Sequence, residues 1–194
     1  MMVELVNKFD KLYQKFSSEW FLRKDGLGGE IPFFIAPYKA EEEILVQESI
    51  KLLLKKLDTS GVPVLEINLY DLVCEILENK GGVERMFKVE EKKSKEKFLR
   101  ALQSSLNIHQ VMMPAIEKKI KESDAKIYFL TGIGMVFPFI RSHTVLNNLQ
   151  NIAKEAPTVM FFPGDYDGHS LKLFGLLKDD NYYRAFNIDK IEAK

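Results

Sequence analysis

Apolar residues in this chain fall into two kinds of run, and the two kinds alternate. Short runs rich in β-branched and aromatic residues read as strands: Ile31–Ala36, Val62–Leu69, Ile127–Thr131 and Thr158–Phe162. Tyr182–Ile188 reads as a last strand at the sheet edge, its direction left open. The run Ile127–Thr131 has no polar alternation, which predicts a strand buried on both faces. Between the strands, apolar residues recur at helical spacing. Leu5, Val6, Phe9, Leu12, Tyr13 and Phe16 form one stripe, and Val46, Ile50, Leu53, Leu54 and Leu57 form a second. Leu72, Val73, Ile76 and Leu77 form a third. This alternation predicts an α/β fold: a mostly parallel central sheet of about five strands with helices on both faces. Residues 1–194 read as one domain, with an N-terminal helix in 1–24 and a helical insert over 84–122 between the second and third strands.

Local signals place the boundaries. Ser17-Ser18 ends the first helix, and Trp20 and Phe21 anchor it. Asp25–Gly29 is a glycine-rich turn. A phosphate-cradling loop needs a strand before it and a helix after it, whereas here the strand comes after. Pro37-Tyr38-Lys39 turns the chain out of the first strand, and Glu41, Glu42 and Glu43 open the next helix at the positive end of its dipole. Asn68, with Asp71 three residues on, marks a helix start. Pro163-Gly164 closes the fourth strand. In the insert, Phe98, Leu102, Leu106, His109, Met113, Ile116 and Ile120 share a stripe that Pro114 bends or splits, giving two helices or one bent helix. His109 reads as a core or boundary histidine, because no second metal ligand lies nearby in sequence.

Composition narrows the function classes. Lys plus Arg and Asp plus Glu are 28 each, so the net charge is zero, without the basic excess of a dedicated nucleic-acid binder. The single cysteine, Cys74, excludes an intramolecular disulfide and a cysteine zinc site, and it falls on an apolar helical stripe. The first sixteen residues mix charged and apolar positions unlike a signal peptide. The longest uncharged stretch, Ile127–Ile140, is too short to span a bilayer. The expectation is a soluble, cytoplasmic protein.

The catalytic motifs are incomplete. After the first strand, Pro37–Glu43 has no glycine and three carboxylates where a phosphate loop needs amides and a lysine. Gly132-Ile133-Gly134 is a fragment of a dinucleotide fingerprint, followed by the bulky Phe137-Pro138-Phe139. Asp165, Asp167 and His169 alternate after a strand and, joined by Asp179 and Asp180, offer oxygen and nitrogen ligands for a divalent metal. The same residues are also ordinary turn chemistry, and a carboxylate there can pair with Arg141. Ser142-His143 and His169-Ser170 are adjacent pairs whose side chains diverge, and neither serine sits in a nucleophile elbow. No catalytic, cofactor or metal residue is assigned. Neighbouring third and fourth strands would bring Arg141 and His143 beside Asp165, Tyr166 and Asp167 at their carboxyl ends, where partners bind in open α/β sheets. Arg and Tyr are enriched at interface centres, so these five residues are the candidate partner-binding set.

Several runs resemble one known family: FLTGIGMVFPFIRSHTVLNNLQ (Phe129–Gln150), FFPGDYDGHSLKLFG (Phe161–Gly175) and LKDDNYYRAFNI (Leu177–Ile188). IPFFIAPYKAEEE (Ile31–Glu43) and INLYDLVCEIL (Ile67–Leu77) fit the same pattern. The family is BrxB, a core component of the BREX systems that defend bacteria against bacteriophage. The resemblance implies a small non-catalytic scaffold subunit. Its implied partner is the phosphatase-like protein PglZ, with the ATPase BrxC and the methyltransferase PglX in the larger assembly. The expectation is no cofactor and no membrane, and direct DNA binding is not expected. Two other readings stay open on the residues alone. One is a metal-dependent phosphoesterase or nuclease using Asp165, Asp167 and His169. The other is a degenerate nucleotide-binding module without a phosphate loop.

Overall fold

A computed structural model describes residues 2–23, 33–179, 181 and 183–191. Helix α1 (Met2–Phe16) is followed by the short α2 (Glu19–Leu22), with the Ser18 hydroxyl accepting from the Phe21 amide. Strand β1 (Phe33–Tyr38) leads through a 3₁₀ turn into α3 (Glu43–Thr59), and β2 (Val64–Asn68) leads into α4 (Leu69–Asn79). The insert carries α5 (Val83–Lys92), α6 (Lys95–Ser105), a π turn (Ile108–Met112) and α7 (Met113–Lys121). Then come β3 (Ile127–Thr131), a 3₁₀ turn (Gly134–Val136), α8 (Ser142–Leu149) and β4 (Thr158–Tyr166). A hairpin of β5 (Leu171–Leu173) and β6 (Leu177–Asp179) precedes β7 (Phe186–Asn187) and a 3₁₀ turn (Ile188–Lys190).

The main sheet runs in the order β2-β3-β4-β1-β7, and every neighbour pair in it is parallel. Alternate residues of each central strand go to opposite faces. Phe33, Ile35, Tyr128, Leu130, Met160 and Phe162 meet α4, α7 and α8 on one side. Phe34, Ala36, Ile127, Phe129, Val159 and Phe161 meet α1, α2 and α3 on the other. Both faces are therefore apolar, which is why β3 reads as an uninterrupted run. Ring contacts tie the second layer: Phe16 and Phe161 both lie against Phe129, at centroid distances of 5.3 and 5.0 Å. The predicted α/β architecture with a mostly parallel sheet and helices on both faces is what the chain adopts.

Several boundaries differ, each for a tertiary reason. β1 continues through Pro37 to Tyr38, because β7 pairs only with Phe34 and Ile35 and leaves the flank at Pro37 without a ladder. The Pro37 carbonyl is taken instead by the Lys8 ammonium at 2.5 Å. β4 does not end at Pro163-Gly164. There it changes partner, leaving β1 and pairing antiparallel with β5 from Gly164 to Tyr166. The last strand is confined to Phe186–Asn187, parallel to β1 at the sheet edge. The insert breaks inside its charged run, where Ser94 caps α6. Pro114 sits in the first turn of α7, directly after the π turn at which the segment departs from regular α-helix. His109 is exposed on the π turn rather than on the buried stripe. Val6, placed on the first stripe, is also exposed. The Asp25–Gly29 turn, Ile31, Pro32, Asp180 and Tyr182 lie outside the described residues.

Candidate functional site

β3 and β4 are neighbours, so the segments that follow them meet above the sheet. Gly132 leaves β3 with φ +70°, and a Cβ on it would lie 2.3 Å from the Asn68 side-chain oxygen. That oxygen accepts the Tyr70 and Asp71 amides at 3.0 and 3.3 Å and so caps α4. The glycine makes room for a neighbouring helix cap, which accounts for the dinucleotide-like fragment without a phosphate. Ile133 and Val136 drop into the core, and α8 begins after Ile140.

Arg141 occupies the N-cap position of α8, but its side chain caps nothing and is exposed. No carboxylate among the described residues pairs with it. His143 instead takes one of the acids open to Arg141: its Nδ1 lies 2.9 Å from Asp179 Oδ2. The Tyr183 hydroxyl donates to the same oxygen at 2.6 Å, and Asn181 bonds the other through its backbone at 3.1 Å and its side chain. Burial raises the Asp179 carboxyl, but the bonds from Tyr183, Asn181 and His143 outweigh it and hold the group below the usual carboxylate range. Burial, then the hydrogen bond to Asp179 and its charge, pushes the Tyr183 phenol well up, against a smaller opposing pull from its bond with Ser142. This network pins the start of α8 to β6 and to the segment before β7.

The other three candidate residues lie on the extension of β4. Tyr166 is only 5% exposed, and its hydroxyl donates to the Ala185 carbonyl at 2.7 Å. Its ring holds the C-terminal segment to the hairpin, so it is not a surface anchor. Asp167 accepts the His169 and Ser170 amides, each at 2.7 Å, and the Ser170 hydroxyl at 3.0 Å. The Ser170 amide, then that of His169, draws its carboxyl down to about 2. It closes its own turn. Asp165 is exposed. Among the described residues no three His, Cys, Asp or Glu side chains gather to hold a metal. No described helix is long and apolar enough to cross a membrane.

Residues 65–188 match the protein-family model described as "BREX protein BrxB". The chain belongs to the BrxB family. A protein of that description from Bacillus cereus (strain H3081.97) is 41% identical over 194 residues, covering 97% of this chain and all of the relative. Another from Escherichia coli O9:H4 (strain HS) is 30% identical over 181 residues, covering 93% of this chain and 90% of the relative. Membership makes the chain a component of a BREX phage-defence system. No solved structure matches it.

The part common to the BrxB family model runs from β2 to β7 and contains a cavity of about 380 Å³ at the carboxyl ends of β3 and β4. Its floor is Ile133, Ile140, Phe162, Leu171 and Leu173. Arg141, Ser142, Lys178 and Asp179 line it too. Arg141 and His143 thus converge with Asp179 of β6, while Asp165 and Asp167 stay outside the cavity lining. In sequence, Leu171, Leu173, Phe174, Leu176 and Leu177 read as an irregular or partly extended segment covering the core, but in the hairpin beside the cavity only Leu171 and Leu173 are buried. Phe174, Leu176 and Leu177 are all exposed, Leu176 by 79%. The available signal was Phe174-Gly175-Leu176-Leu177, a nearly all-apolar stretch at a turn, where polar residues are the rule.

Proposed function

We propose that this chain is a non-catalytic scaffold subunit of a cytoplasmic BREX assembly and works by binding a PglZ-like protein. One observation carries the reading. His143 is bonded to Asp179 and Asp167 to its own turn, while Arg141 and the apolar hairpin are exposed beside them, as are Asp165 and His169. A catalytic site keeps its acids and bases turned towards substrate, whereas an interface exposes Arg and large apolar groups. BrxC and PglX enter the same assembly through contacts beyond this pair. No membrane and no direct DNA contact is involved.

The test is co-purification. The tagged chain, expressed with the PglZ-like protein of its own system, should retain that protein through size exclusion. Elution of the two as separate species would refute the partner. The purified chain should neither hydrolyse ATP nor cut DNA. Turnover that survives purification and disappears in His169→Ala or Asp165→Asn would refute the non-catalytic reading and restore the metal-dependent alternative.

A further inference from the structure

Helices α1 and α3 cover one face of the sheet, with Leu5, Phe9, Leu12, Val46, Ile50 and Leu53 turned inward. Contacts between the two helices fix their register. Lys56 pairs with Asp10 at 3.2 Å, and the Tyr13 and Ser60 hydroxyls share a hydrogen bond of 2.7 Å. The Lys56 ammonium also lies 4.1 Å from the centroid of the Tyr13 ring. Both pairings advance towards the carboxyl ends, so α1 and α3 run parallel and form one braced surface. One turn before Asp10 and Lys56, the same faces carry Val6 and Leu52. Both are exposed, Leu52 by 70%. Val3 extends the apolar strip along α1, and Ile44, Glu48 and Leu52 follow at four-residue spacing along α3. Val3 and Ile44 are exposed as well. Single exposed apolar residues are ordinary, but four on one two-helix face form a candidate contact.

Charge selects the occupant. Asp10 and Lys56 neutralise each other. The other exposed charges on the two helices are three acids, Glu4, Glu48 and Asp58, and three lysines, Lys11, Lys51 and Lys55. The face has no net charge, so neither a basic nor an acidic partner gains from it as a whole. Along α3 the charges are ordered: Glu48 lies one turn before Leu52, and Lys55 lies within a turn after it. A two-fold axis crossing α3 at Leu52 turns a second copy end for end. It sets Leu52 against Leu52 and Val6 against Val6, and it brings Glu48 of each copy to Lys55 of the other. Lys51 is turned about 100° round the helix from Leu52, on the side away from α1, and clears the axis. The helix α3 is about 25 Å long and the pair is about 20 Å wide. That footprint, about 500 Å² per copy, falls below the roughly 800 Å² per partner of a standard stable interface, so the contact belongs to the weak, concentration-dependent class.

We propose that the exterior of α1 and α3 is a self-association surface, on which a second copy of this chain packs antiparallel about Leu52. The contact uses neither Arg141 nor the β5–β6 hairpin, so it stands or falls apart from the partner reading.

Sedimentation velocity of the full chain at about 5–500 µM is the test. Wild type should move from monomer towards dimer across that range. Leu52→Glu, which meets itself across the axis, should weaken association about tenfold or more, and Glu48→Lys or Lys55→Glu alone should weaken it about threefold or more. All three positions are exposed, so the variants should melt as wild type does. Mixing the Glu48→Lys and Lys55→Glu chains restores opposite charges at both symmetry-related contacts and should recover association to within about twofold of wild type. A monomer at every concentration would overturn the proposal, as would a dimer indifferent to Leu52→Glu or a mixture no tighter than the single variants. A PglZ-like protein retained by wild type and lost in Leu52→Glu would give the face to that protein and remove the second copy from it.

Discussion

Arg141 and Asp179 face the same cavity, and only one of them should hold the fold together. Asp179→Ala removes the acceptor of the Tyr183 hydroxyl at 2.6 Å, of His143 at 2.9 Å and of the Asn181 amide at 3.1 Å. Tyr183 is buried, so its hydroxyl cannot turn to water. Hydrogen bonds to an ionised group contribute about 1.5–3 kcal/mol each. Two features reduce the sum. The His143 and Asp179 side chains each keep 23% of their exposure, so water replaces part of their bond, and Ser142 remains as a partner for Tyr183. The net loss is about 3 kcal/mol, which in a chain of this length lowers Tm by about 6–12 °C. Arg141→Glu alters an exposed group with no acid partner among the described residues, so its effect stays within about 0.5 kcal/mol. Thermal melts followed by circular dichroism at neutral pH compare the two. An equal fall in both would make Arg141 structural and end its assignment as a contact residue. A normal melt for Asp179→Ala would refute the network.

Other outcomes follow from single contacts. Gly164→Ala places a Cβ 2.1 Å from the Lys172 carbonyl oxygen at φ +151°, so the hairpin must detach. A loss of about 3 kcal/mol or more by denaturant melts is expected. Asn68→Ala removes the cap of α4 and should cost about 1 kcal/mol, again by denaturant melts. Asp167 titrates at about 2 in the folded chain against an ordinary 3.8, so its stabilisation is present above the ordinary value and is lost as pH falls through that window. Melts of wild type and Asp167→Ala should therefore converge as pH drops from 3.8 to about 2. A difference that persists below that range would assign the effect to something other than the carboxylate.

Periodicity alone determined the layers of this protein. β3 and the first part of β4 are legible because both sheet faces are buried, and a strand buried twice has no polar positions to blur it. The α4 cap is legible because Asn68 acts on amides two and three residues away. Whatever depended on distant partners was not legible. The sequence marks Pro163-Gly164 as a stop, yet β4 continues because β5 returns to pair with it. Tyr166 looks like a surface anchor until the segment around Ala185 closes over its hydroxyl. Asp179, a carboxylate that could have paired with Arg141, went to His143, since β6 brings it to the histidine. The family resemblance read from the motifs holds over nearly the whole chain, at 41% identity to one relative. The choice between a bonded side chain and an exposed one belongs to the tertiary structure. It depends on which strands pair at long range, and local pattern carries no record of that pairing.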